Sequence, residues 1–352
     1  MFKELKMIHQ IMPALFAATL FGASTPLAKV LIGEMDSWIL AGILYFGSGI
    51  GLLAISAVQS LKAKSLPVFP NKKDFFWLMG ATFFGGILGP VFLMKGLSLT
   101  TASTSSLLLN MEGVLTSCIA WIVFKEHYDR RIVLGMMAII MGGMILSWSS
   151  AGEFSLSSGS FFILGACLCW GIDNNLTRMV SANDAVLITT LKSVVAGSTN
   201  LILALSLGRS LPAAGPLAWG ALLGFLGYGL SIVCFVLSLR AIGTSRTGAY
   251  FSAAPFVGAT LSLFLFKNEL SLQFILAAGF MGWGLWLHVT EIHNHEHEHE
   301  PLYHSHEHTH DDEHHQHEHL PAESFGKKHT HYHQHEKMRH QHSHFPDIHH
   351  RH

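Results

Sequence analysis

The residue type with the clearest chemistry is histidine, because 22 of the 25 histidines lie in the last 60 residues of a 352-residue chain. His293, His295, His297 and His299 alternate with Asn and Glu. His304, His306, His308 and His310 follow, then His314, His315, His317 and His319, and after a gap a last group from His329 to His352. Alternation places imidazoles on one side of an extended strand, where neutral ring nitrogens can converge on Zn²⁺, Ni²⁺, Co²⁺ or Cu²⁺. At four ligands per tetrahedral ion, these histidines could hold on the order of five ions. The interleaved Glu and Asp add charge and oxygen ligands. The segment has no apolar periodicity with which to bury a core, so it is expected to be disordered. Two blander readings compete. Irregular interleaving over 60 residues argues against a purification tag, and a solvated tail would simply gain charge as pH falls through about 6.5.

A second set consists of ionisable side chains inside long apolar runs, where charge is costly and marks a site by default. Glu112 lies about 10 residues from either end of the run 101–124, roughly 15 Å deep at 1.5 Å per residue. Ser105, Leu108, Glu112 and Thr116 share its helix face, and Asn110 beside it points elsewhere. Apolar surroundings favour a neutral carboxyl, as a proton-carrying group needs. Asp173, Asn174, Asn175 and Arg178 form one polar run. A hairpin centred between Ala182 and Asn183 puts Asp173 and Lys192 each 9.5 residues from its centre, level with one another on antiparallel neighbours. They are expected to be either a structural ion pair or a coupling site that exchanges a proton or binds substrate. Glu112 has no partner at its own level, which favours function. Lys29 and Arg178 fall near span ends and suit snorkelling to the interface. Tyr228, Tyr250 and Ser252 are weaker candidates for lining a cavity.

The elements that carry these groups belong in a membrane. Half of the residues are apolar, 13% are charged, and the mean hydropathy is +0.38, which excludes an ordinary soluble domain. Residues 1–292 carry 17 Lys/Arg against 12 Asp/Glu, and residues 293–352 carry 5 against 11, so a basic body joins an acidic tail near Ile292. A bilayer needs about 20 apolar residues of helix. That length marks ten spans: 8–32, 37–60, 74–95, 101–124 and 132–148, then 160–181, 185–207, 216–239, 245–266 and 271–290. The first is read as a retained span rather than a cleaved signal peptide. Small residues four apart, as in Gly47/Gly51, Gly85/Gly89 and Gly220/Gly224, let helices approach closely. Cys118, Cys167, Cys169 and Cys234 all lie in apolar stretches and read as packing; Cys167 and Cys169 are two apart and could not face one metal together.

Basic residues in short loops set orientation. Lys62, Lys64, Lys72 and Lys73 follow the second span and Lys125, Arg130 and Arg131 the fourth, so those loops are expected to be cytoplasmic. Both termini then lie on the same side. Glu34/Asp36 and Glu153 mark the opposite face.

The two halves also match each other. A shift of 142 residues places Phe124-Lys125-Glu126 near Phe266-Lys267-Asn268-Glu269, Gly142 on Gly284, Ser103 on Ser245 and Gly113 on Pro255. A shift of 149 places Phe21-Gly22 on Trp170-Gly171 and Lys29 on Arg178. Five spans per half is an odd number, so the second half enters from the opposite side. That is an inverted repeat, a transporter signature with the substrate site near the midplane.

Five-plus-five spans, Phe/Trp-Gly opening each half, and a glutamate beyond each fourth span before a Gly-rich fifth resemble the EamA-like transporters of the drug/metabolite transporter superfamily. The likeness covers residues 8–290. Where that family often has a proline in the fourth span of each half, this chain has Pro255 and Gly113; where it often has an arginine in the second, the positions look like Tyr45 and Lys192. The resemblance implies transport of amino acids, other metabolites, dyes or drugs without naming a cargo.

The expected protein is therefore all-α and integral to the membrane. Its domains are a first five-helix repeat (8–149), a second (160–290) and a disordered His-rich cytoplasmic tail (293–352). It is a multi-pass protein of the cytoplasmic membrane. A small solute crosses it by alternating access, with Glu112, Asp173, Lys192, Asn110 and Asn174 as coupling or substrate residues. Two rivals are an exporter of Zn, Ni, Co or a metal chelate, and a membrane-anchored metal buffer or sensor. No nucleotide loop, nucleophile elbow or HExxH helix is present, so no enzyme activity is expected. No cofactor is required beyond metal on the tail. The expected partners are the lipid bilayer, the substrate and, as an option, a second copy in a homodimer. The acidic tail argues against nucleic acid.

Overall fold

The computed structural model describes residues 2–63, 70–124, 130–146, 157–180, 183–267 and 270–289, and four short tail segments, 296–299, 303–308, 329–334 and 338–341. The chain forms two units, Met1–Glu291 and Ile292–His352. Lys64, Lys125, Glu126, Glu153 and Glu269 lie outside the described residues.

Where no water can satisfy peptide groups, a chain crosses lipid as helix, and every described element of the first unit is helical. The order is α1 (Phe2–Ile32), α2 (Ser37–Ala63), α3 (Lys72–Ala81), a π-helical stretch Thr82–Leu88, α4 (Gly89–Leu99), α5 (Ala102–Leu108), α6 (Met111–Phe124) and α7 (Arg130–Leu146). It continues with α8 (Ser158–Arg178), α9 (Ala185–Ser206), α10 (Ala214–Gly224), a second π-helical stretch Phe225–Leu230, α11 (Ser231–Phe251), α12 (Ala254–Phe266) and α13 (Leu272–Val289). Among the described residues six stretches are long and apolar enough to span a bilayer: Ile11–Ile32, Ser37–Leu61, Lys72–Leu99, Ala102–Val123, Ala185–Ser206 and Ala214–Ser238. Ala254–Phe266 and Leu272–Leu287 are shorter apolar helices.

Two expected boundaries change. The run 101–124 is not one helix but breaks at Leu109–Asn110, where the Asn110 amide group competes with the helix for the Leu107 carbonyl at 2.9 Å. Further on, α11 runs through 240–244 without a stop, and the interruption falls at Ser252–Ala253, just before Pro255. Proline fits the first turn of α12 because its missing donor would be unused there.

The two halves make reciprocal contacts. A Cβ on Gly142 would lie 2.8 Å from the Ala277 carbonyl oxygen, and one on Gly284 would lie 2.5 Å from that of Gly135; the 142-residue shift maps 142 on 284 and 135 on 277. Likewise Gly49 abuts Val194 while Gly197 abuts Phe46, pairs exchanged by a shift of 148. The π-helical stretch Thr82–Leu88 maps under the 142-residue shift onto 224–230, within one residue of the second.

Close approach depends on glycine at the junction of α2 with α10. A Cβ on Gly224 would stand 1.9 Å from the Leu44 carbonyl oxygen, and one on Gly47 2.3 Å from that of Ala221. Backbone cannot yield as a side-chain tip can. Gly224→Val should therefore cost about 1–3 kcal/mol or more, read as a lowered melting temperature in detergent. Gly215→Val, at a position with open space, is the comparison.

Two contacts fix the ends of the bundle. The Arg209 guanidinium lies 3.7 Å from the Asp36 carboxylate, so the turns after α1 and α9 share one end. Asn183, in the turn between α8 and α9, donates to Asp74 in the first turn of α3 at 3.0 Å.

In the second unit, β1 (Glu296–His299) pairs antiparallel with β4 (Met338–Gln341), and β2 (Tyr303–His308) pairs antiparallel with β3 (His329–Gln334). The expectation of a tail without secondary structure is corrected at these residues. Period-two alternation suits an extended ladder, and opposite charges occupy opposing register positions at Glu298 and Arg339.

Candidate functional site: a buried polar cluster between the halves

Asp173 on α8 and Lys192 on α9 form an ion pair, with Lys192 Nζ donating to both carboxylate oxygens. Their side chains are only 9% and 6% exposed. The short turn between α8 and α9 keeps the helices antiparallel and level, as the hairpin geometry requires. Thr177, one turn along α8, donates to Asp173 Oδ1 at 2.9 Å. The carboxylate occupies the space left by a missing side chain on α8's neighbour. A Cβ on Gly85 would fall 1.8 Å from Asp173 Oδ2.

That glycine belongs to the first π-helical stretch, whose wider turn leaves carbonyls for other donors. The Gly85 carbonyl accepts from Tyr45 Oη at 2.8 Å and from Trp170 Nε1 at 3.0 Å. The Gly86 carbonyl accepts from Asn200 Nδ2 at 3.2 Å. Tyr45, Trp170, Thr177 and Asn200 were not among the expected site residues. Their signal was a hydrogen-bonding group within an apolar run, too common to single out.

Glu112 is half-buried in the first turn of α6, directly after the break at Leu109–Asn110. Its carboxylate does have a partner, which corrects the sequence expectation: Asn174 Nδ2 donates to Glu112 Oε1 at 2.9 Å and reaches Thr116 Oγ1 at 3.3 Å. The partner was missed because depth arithmetic works across a short hairpin and not between helices distant in sequence. Asn175 binds the Thr116 and Gly171 carbonyls at 3.1 and 2.8 Å. Asn110 is buried and faces away, toward Met281 Sδ at 3.7 Å. The structure thus joins Asp173 to Lys192 and Glu112 to Asn174, and leaves Asn110 apart.

Between these groups stands an aromatic cluster. Phe21 packs edge-on against Trp170, with ring centroids 5.7 Å apart, and against Tyr228, also at 5.7 Å; Tyr45 lies 5.4 Å from Tyr228. Tyr228 is fully buried and Tyr250 half-buried. Phe21 and Trp170 are the residues that open the two halves and map on one another, so they meet where the halves meet.

Lys29 does not snorkel. Its ammonium donates to the Leu97 carbonyl and, at 2.9 Å, to the Thr100 carbonyl, where it caps the C-terminal end of α4. The four cysteines are free, and buried Cys167 Sγ lies 3.7 Å from the Leu108 carbonyl oxygen. Among the residues whose side chains are described, no three His, Cys, Asp or Glu converge on a point that could hold a metal. His293, His295, His310, His314, His315, His317 and His319 lie outside the described residues.

The sequence profile of the EamA-like transporter family matches the chain twice, over residues 10–148 and 157–290. A protein of Methanothermobacter thermautotrophicus called an uncharacterized transporter is 27% identical over 275 residues, 73% of this chain and 79% of its own. The uncharacterized transporter YyaM of Bacillus subtilis is 25% identical over 252 residues, 68% of this chain and 81% of its own. One solved crystal structure superposes with a TM-score of 0.62 at 15% identity, over 79% of this chain and 97% of that one, a likeness of fold.

Proposed function

Because the chain belongs to the EamA-like transporter family, we propose that it is a secondary carrier of a small organic solute, built from two inverted five-helix halves that work by alternating access. One observation carries the reading: both buried carboxylates are engaged across the junction of the halves. Asp173, in the second half, fills the hollow at Gly85 of the first, and Glu112, in the first, binds Asn174 of the second. Rocking one half against the other must remake those contacts. A solute or proton that binds there can therefore bias the movement. Glu112, Asp173, Lys192 and Asn174 are assigned to coupling or substrate contact, and buried Asn110 to holding the break in the fourth span.

Ten spans, with both termini in the cytoplasm of a cell-membrane protein, follow from the basic loops. The tail is assigned to binding Zn, Ni, Co or Cu as a regulator or store, with no enzymatic role and no resident cofactor in the membrane unit.

The test is flux in proteoliposomes of the purified full chain, first with Zn²⁺, Ni²⁺ and Co²⁺, then with a panel of amino acids and other metabolites. The expected result is flux of an organic solute and none of bare metal, with tight metal binding lost on truncation at Ile292. Metal flux abolished by Glu112→Gln would instead make the protein a metal exporter.

A further inference from the structure

We propose that the tail closes around transition-metal ions as a register-defined clasp, in which His304, His306 and His308 bind jointly with His333, His331 and His329. This rests on the metal-binding reading of the tail and names which histidines act together. In the ladder of β2 with β3 the opposing Cα partners are His304 and His333, His306 and His331, and His308 and His329. Alternate residues of a strand share a face, so all three pairs fall on one face of the ladder. Seven residues further out on each strand, Glu296 opposes Gln341, and the same register places His297 opposite His340. A slip of one residue would leave none of these histidines opposite another, because their spacing is even throughout.

The dimensions suit a divalent ion that accepts imidazole nitrogen. Cross-strand neighbours are about 4.5–5.5 Å apart between Cα atoms, and successive pairs on a face about 6.8 Å. Four imidazoles from two adjacent pairs can therefore share one tetrahedral ion at about 2.0–2.1 Å per bond. Two strands tied by a short loop present their second set of ligands at high effective concentration, which multiplies affinity without any new contact type. A two-stranded ladder alone is marginal in water, so the ion and the ladder should form together, as in other domains that fold on binding metal.

The experiment is a titration of the full chain, in detergent or nanodiscs, with Zn²⁺ and separately with Ni²⁺. It compares the wild type with H304A/H306A/H308A, with H329A/H331A/H333A, with both triples combined, and with H314A/H315A/H317A. All changes lie in the tail unit, so the melting temperature of the membrane unit checks that the fold is kept. Either ladder triple should weaken the tightest sites about a hundredfold. Combining them should cost no more than one alone, and the third triple should leave those sites within about twofold. Equal losses from all three triples, or losses that add, would overturn the clasp while leaving tail metal binding intact. A wild type that binds neither ion would overturn the metal reading itself, and the clasp with it.

Discussion

Lys192→Met should lower the stability of the membrane unit by about 3–5 kcal/mol, because it leaves the Asp173 carboxylate charged and unpaired at a site almost closed to water. Thr177 alone remains as a donor to it. Asp173→Leu should do comparable damage by stranding the Lys192 ammonium. The double variant Asp173→Leu/Lys192→Met removes both charges and should recover most of the loss, since an apolar pair of similar volume is often as stable as a buried ion pair. Thermal unfolding in detergent, arranged as a double-mutant cycle, measures this. Transport by the double variant then separates the two roles that sequence left open. If the pair only holds α8 to α9, a refolded double variant transports. If it couples or binds substrate, stability returns without transport.

How far the sequence could be read depended on distance along the chain. Asp173 and Lys192 were placed level by counting, because a four-residue link leaves antiparallel helices little freedom. Glu112 and Asn174 are 62 residues apart with two helix reversals between them, and no count along the chain brings them together. The matching of the halves was visible in Phe21-Gly22 with Trp170-Gly171 and in Gly142 with Gly284, and the reciprocal contacts fall at those residues. The breaks were half visible. Pro255 announces the start of α12, whereas Asn110 interrupts the fourth span by a side-chain hydrogen bond that no helix propensity would rank above its neighbours. The π-helical stretches were unmarked, because their Gly-rich sequences read equally as close packing. Both glycine readings apply at Gly85, which lies in a π-helical turn and also leaves room for a carboxylate.

Glu112→Gln should uncouple the carrier from a proton gradient without unfolding it. Glutamine has the same length and keeps an oxygen to accept from Asn174 Nδ2, so the contact between α6 and α8 survives. The group that can take up and release a proton does not. With a transported solute in hand, uptake into proteoliposomes driven by an imposed pH gradient should fall to the level of protein-free vesicles. Exchange of labelled for unlabelled solute across the same membrane, which needs the site to reorient loaded but moves no net proton, should continue. Glu112→Asp tests geometry in place of titration: the carboxylate is retained but drawn back by about 1.5 Å, which lengthens the bond to Asn174 beyond a good hydrogen bond. Partial coupling is the expected result. Full loss of exchange in Glu112→Gln would mean that the carboxylate contacts the solute itself, because an interaction needed in every loaded state is a binding contact and not only a proton relay.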